Sequence, residues 1–120
     1  MSGIQKLIIG DKEVLLVDYS DCTENEIITL ASQLKELVLA ENKSVRILSK
    51  FNDKNFATPK VMRHMEKVTQ LALHLIDGMA IIGLSSTKKV ILKGYSLFFK
   101  RDFKAFDTQE EAIAYLVKDS

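Results

Sequence analysis

Apolar positions fall into runs whose period changes along the chain, and each change marks an element. Residues 5–9 and 14–18 are β-rich runs separated by Gly10, Asp11, Lys12 and Glu13, a spacing that predicts two strands joined by a hairpin. Thr23 and Glu26 form a capping-box pair, in which each side chain satisfies the other's free backbone N–H at a helix start. Ile27, Leu30, Ala31, Leu34, Leu37 and Val38 then recur every three or four residues, predicting one helix that ends before Asn42. Residues 45–49 suit a short interior strand, and residues 51–57 read as a polar loop bearing Phe51 and Phe56.

Thr58 and Pro59 predict the start of a second helix, with threonine as cap and proline pre-shaped for the first turn. Its buried stripe is Val61, Met65, Val68, Ala72 and Leu75, and Lys60, Arg63, Lys67 and His74 fall on the opposite arc. The continuous apolar run 79–84 has the character of a strand covered on both faces, which places it at the sheet centre. Ser85, Ser86 and Thr87 offer caps for a third helix to about Phe99, and residues 103–106 form a last strand. Thr108 with Glu111 makes a second capping box, and Ala112, Ile113 and Leu116 bury the final helix. The order ββαβαβαβα predicts an α/β fold: a mixed, mainly parallel sheet of about five strands with about four helices.

Composition narrows the function more than the fold. At 120 residues and 47% hydrophobic, with five glycines, one proline and no linker-like stretch, residues 1–120 are expected to form one domain. Cys22 is the lone cysteine, so an intramolecular disulfide and a zinc site of the usual Cys/His spacing are excluded, which fits a reducing, cytoplasmic compartment. Met1 to Lys6 lack the apolar run of a signal peptide. No stretch approaches the roughly 20 apolar residues of a membrane span, so no integral membrane segment is expected and lipid contact would be peripheral. The net charge of +1 hides an asymmetry: residues 50–104 hold eleven Lys/Arg against four Asp/Glu, leaving the ends acidic. This pattern reads either as a solvated surface or as a face for an anionic partner. With near-zero net charge and no groove-reading motif, nucleic-acid binding is not expected.

The segments 78–92 and 105–116 resemble the SpoIIAA-like branch of the STAS family. The features that carry the likeness are the apolar strand with a small residue and glycine at 80–83, the pair Phe106-Asp107, and the acidic-acidic-alanine helix start at 110–112. Residues 17–20 after the second strand and Thr58-Pro59 extend it over nearly the whole chain. The resemblance implies a STAS-like fold without known enzymatic activity, in regulatory modules that bind partner proteins or self-associate. By looser analogy it also points to lipid-carrying SEC14-type domains. Anti-anti-sigma members carry a phosphorylatable serine in an Asp-Ser-Ser-Gly-like motif at the start of the second helix. Here residues 55–59 lack that motif, so Thr58 is the candidate regulatory phosphosite, with helix capping as its alternative role.

Catalytic groups are sparse. His64 and His74 lie about 280° apart on one helix and read as surface histidines, and Asp18, Asp21 and Cys22 at a strand end read as turn and cap residues and an inert small residue, with a ligand-binding or hydrolase role as the alternative. The sequence 83–89 lacks the glycine spacing of a phosphate-binding loop. No enzyme, cofactor or metal is therefore expected. The third helix is the more informative feature, because its apolar residues cover an arc of about 220°, far wider than a helix lying on a sheet requires. Ile91, Gly94, Tyr95, Phe98 and Phe99 are the candidate binding residues on it, with Lys88, Lys89 and Lys93 at its edge. Apolar surface beside clustered cations suits a protein partner or homo-oligomer interface, or a small apolar or lipid ligand. The remaining alternative is that the 51–57 loop or the last helix covers it.

Overall fold

The computed structural model describes residues 3–55 and 58–118. Strands β1 (Gly3–Ile9) and β2 (Lys12–Asp18) pair antiparallel through a tight turn in which Gly10 takes φ 63°, a conformation that costs glycine nothing. Helix α1 (Glu24–Glu41) starts at Thr23, where both halves of the expected capping box are made, and ends at Asn42 in the left-handed region. β3 (Val45–Lys50), α2 (Pro59–Ala72), β4 (Ile76–Ile82), α3 (Ser86–Phe99), β5 (Lys104–Phe106) and α4 (Gln109–Val117) complete the order. The sheet runs β1-β2-β3-β4-β5, with every pair after the hairpin parallel.

Because each crossover steps to the next strand in the same direction, α1, α2 and α3 lie on one face and α4 alone covers the other. Alternation along the strands sorts the core accordingly. Leu15, Val17, Val45 and Ile47 pack with α1 and α2, whereas Val14, Leu48, Ala80 and Ile82 pack with Ala112 and Leu116 of α4. Ile81, Phe99 and Phe103 form a smaller cluster beneath α3.

The structure differs locally from the pattern-based expectation. The central strand is β3, not β4, since β5 adds only three residues beyond β4. β4 starts at Ile76 rather than Met79: Asp77 and Gly78 break the apolar run, and pairing with β3 continues past them through a register shift that sets Val45 opposite Ile76 and Arg46 opposite Gly78. α2 ends at Ala72 and Leu73–Leu75 tighten into a 3-10 turn, so Leu75 and His74 leave the helix. His64 is half-buried rather than a surface residue, its Nε2 lying 2.8 Å from the Ser32 hydroxyl. At α4 the box is half made: Thr108 accepts the Glu111 N–H, but the Glu111 carboxylate takes the threonine hydroxyl instead of the backbone N–H. Phe56, expected in the loop near α3, lies outside the described residues.

Candidate functional site: a cavity beneath the third helix

Ser85 caps α3 by accepting the Lys88 N–H, and Lys100 closes it in the left-handed region. The helix divides its wide apolar arc between two surroundings. Ile91, Leu92 and Tyr95 turn inward, and Phe99 is 7% exposed against Phe103, so the chain itself covers this half. Val90, Leu97 and Phe98 turn outward at 69%, 80% and 62% exposure. Gly94 shares the outer face, where a Cβ would meet nothing within 4 Å, so it makes no close approach to the sheet. Lys93 and Lys89 are exposed along one side, Lys89 within 3.4 Å of Asp107. The candidate residues of α3 thus serve two surfaces.

Between the inner half of α3, helices α1 and α2, and the sheet lies a cavity of about 150 Å³. Ile91, Leu92 and Tyr95 form one wall, and Met62, Met65 and Val68 of α2 another. Met79 and Ile81 of β4 make part of the floor. Three methionines in the lining give it adjustable shape, since the unbranched thioether chain adapts to what it packs against. No Asp, Glu, His or Cys is among the described lining residues.

Polar bonds at both ends hold α3 over this space. Near its N-terminus the Lys88 ammonium donates to the Asn55 carbonyl. At mid-helix the Tyr95 hydroxyl donates to the Met62 carbonyl at 2.7 Å, and burial, with the Glu66 carboxylate second, pushes its phenol up to about 12. Just beyond the C-terminus, Arg101 donates to the carbonyls of Leu73 and Ile76, covering the backbone left open where α2 gives way to β4. Arg101 belongs to the run of cations that follows α3 in the sequence, and nothing local to it signals this contact.

The strand ends beside the cavity are tied by Asn55, which is buried. Its Nδ2 donates to the carbonyls of Tyr19 (2.9 Å) and Cys22 (3.3 Å), and its Oδ1 accepts the Asn52 N–H. Tyr19 stacks on Phe51 with ring centroids 4.9 Å apart. Asp18 accepts the Ser20 N–H, Asp21 accepts from Asn52 Nδ2 at 2.7 Å, and Cys22 is buried. Each of the three is thus engaged in shaping the turn, and their functional groups face different neighbours.

The SpoIIAA-like family profile matches residues 16–117, from the last residues of β2 to the end of α4. The chain belongs to the SpoIIAA-like family. Among solved structures it is similar to an uncharacterised DUF3478-family protein from Shewanella loihica PV-4, described as having a SpoIIAA-like fold. The TM-score is 0.69 at 13% identity, over 97% of this chain and 95% of that one, a likeness of fold alone. No curated protein matches.

In this SpoIIAA-like chain Thr58 occupies the N-cap of α2. Its hydroxyl accepts the Val61 N–H and donates to Glu24 Oε2 at 2.6 Å, so both of its roles are filled. Lys60, Arg63 and Lys67 are exposed on the outer face of α2, as their spacing predicts. Among the described residues no helix is long and apolar enough to cross a membrane.

Proposed function

We propose that this SpoIIAA-like protein is a non-catalytic binding module that holds a small, mainly apolar ligand beneath α3. The cavity carries the reading. Protein interiors are packed to crystal density, and a dry space of about 150 Å³ in an engineered core is large enough to take up benzene. An opening of that size, lined mainly by aliphatic, methionine and aromatic side chains, suits a ligand of one ring or a short chain. The absence of carboxylate, imidazole and thiol groups from its described walls supports binding over catalysis. Titrating the amide spectrum of the protein with toluene tests this. Shifts confined to residues around Ile91, Tyr95 and Met65 are expected, and an unperturbed spectrum at saturating toluene overturns it.

A second reading rests on the outer half of α3. Three exposed apolar side chains stand beside Lys89, Lys93 and Lys100, and α3 holds no acidic residue. Two copies meeting through this face would oppose their cations, so its complement is an anionic surface, and peripheral binding to a membrane fits both the charge and the apolar row. Flotation with vesicles of 70% phosphatidylcholine and 30% phosphatidylglycerol is expected to carry the protein, less so at high salt. Protein that stays with the soluble fraction, or that sediments as a dimer lost on Phe98→Asp, refutes the membrane reading in favour of a protein interface. Because both surfaces share one helix, a ligand that shifts α3 alters what α3 presents, which is what a regulatory module requires.

A further inference from the structure

Two buried hydroxyl groups in the cavity wall are unaccounted for. Parallel pairing sets Val17 opposite Ser49, and the Tyr19 N–H donates to the Lys50 carbonyl at 2.8 Å, so Tyr19 and Ser49 arrive on the same face at the same strand ends. Both border the cavity, at 1% and 5% exposure. Among the described residues neither side-chain hydroxyl has a hydrogen-bond partner. The nearby Ser20 oxygen is also buried without a partner, but Ser20 is not among the residues that line the cavity. Their polar neighbours are committed elsewhere: Asn55 to the backbone of Tyr19, Cys22 and Asn52, Tyr95 to Met62, and Lys88 to Asn55.

Burying an unpaired hydroxyl costs about 1–3 kcal/mol. A core with no polar task would carry Phe and Ala at these positions and avoid that cost. The surroundings also disfavour charge, since burial pushes the Tyr19 phenol above its ordinary range and keeps it a neutral donor. We propose that Tyr19 and Ser49 are the polar anchor of the cavity, and that its ligand is a small apolar molecule bearing one neutral hydroxyl, a phenol or short-chain alcohol. A single ligand hydroxyl can accept from one of the pair and donate to the other. The inference rests on the cavity being a ligand site, and adds which chemistry that site selects.

Phenol and toluene, equal in heavy-atom count, separate the two statements. A purely apolar cavity prefers toluene, because it strips water from the phenol hydroxyl without replacement. With the anchor, phenol is expected to bind at least as tightly as toluene in amide-shift titrations. In Tyr19→Phe/Ser49→Ala, phenol should weaken about tenfold or more while toluene is unchanged or tighter, as expected for a lost hydrogen bond of about 1.4 kcal/mol. Each single variant is titrated in parallel, so a double variant that fails to fold does not end the test. Toluene binding without phenol binding, or phenol binding untouched by the substitutions, overturns the anchor and leaves the cavity reading standing. If neither compound binds, both are overturned.

Discussion

The Thr58 hydroxyl lies 2.6 Å from Glu24 Oε2, joining the first turn of α2 to the first turn of α1. The proton in that bond belongs to threonine, so a phosphate there would remove the donor and set negative charge against a carboxylate, with Lys60 3.7 Å from Glu24 as the nearby cation. Asp and Asn cap helices about equally well, which makes them a matched pair at this position. Thr58→Asp is expected to be less stable than Thr58→Asn by about 1 kcal/mol at neutral pH, the Coulombic scale for partly exposed like charges. Adding Glu24→Gln should erase the difference. Urea denaturation of the four variants measures it, and a gap that survives Glu24→Gln would assign the effect to capping rather than to repulsion.

Gly83 ends β4 with φ 84°, and a Cβ there would lie 1.9 Å from the Phe51 carbonyl oxygen. The approach is fixed by the ladder, because the Phe51 N–H donates to Ile82 at 3.0 Å. Neither backbone can yield without losing that bond, and Phe51 also carries the stack on Tyr19. Gly83→Ala combines left-handed strain with a backbone clash, and is expected to cost about 2–5 kcal/mol. Thermal melting reads the loss. Gly94→Ala serves as the control: its Cβ enters open space on a helix, so stability should rise by about 0.5–1 kcal/mol.

Local chemistry made much of this architecture readable in the sequence. Thr23 and Glu26 announce α1 because the capping box is satisfied within four residues, and the period of Ile27 to Val38 names its buried face without reference to any other element. Where partners are remote, legibility fails. His64 meets Ser32 across the α1–α2 contact, and Arg101 meets carbonyls more than twenty residues away, so neither has a signature in its own segment. The excess apolar width of α3 was visible, but which half the chain covers depends on where α2 ends, and the expected helix ran past Ala72. The polar part of Tyr19 and Ser49 has no signature of its own, because each looks like the next step of an alternating strand. The available signal was that both continue an inward set, Leu15-Val17-Tyr19 and Val45-Ile47-Ser49, with a hydroxyl in place of an aliphatic side chain.

Asn55 shows the cost of such remote ties. Truncating it to alanine leaves the Cys22 carbonyl and the Asn52 N–H without their partner and the Tyr19 carbonyl with the Cys22 N–H alone, all at the edge of the cavity. At about 1–3 kcal/mol for each buried group left unpaired, and with water able to reach some of them, Asn55→Ala is expected to cost about 2–4 kcal/mol. Asn55→Asp preserves shape and the acceptor but loses both donated bonds, so it should not rescue stability. Guanidinium denaturation of the pair decides the matter: rescue by aspartate would mean that side-chain volume, not donation, holds the strand ends.

Tyr95 makes the closure over the cavity sensitive to alkali. Its phenol is raised from 10.0 to about 12, first by burial and then by Glu66, while it donates to Met62. The folded chain therefore keeps this proton over a range in which the unfolded chain has released it. The stability it contributes is whole below pH 10 and is lost as pH rises from 10 to about 12. The side chain is only partly buried, so solvent screening reduces the expected loss to about 1 kcal/mol. Tyr95→Phe removes both the hydrogen bond, about 1 kcal/mol at neutral pH, and this part of the alkaline decline. Comparing urea midpoints at pH 9 and pH 11.5 should show a smaller drop for Tyr95→Phe than for the wild type. Some decline remains, because burial raises Tyr19 in the same direction and the Glu41 and Glu13 carboxylates raise Lys6. Parallel drops in the two proteins would show that α3 has already left α2 before the phenol ionises, in which case the bond to Met62 does not hold the helix closed.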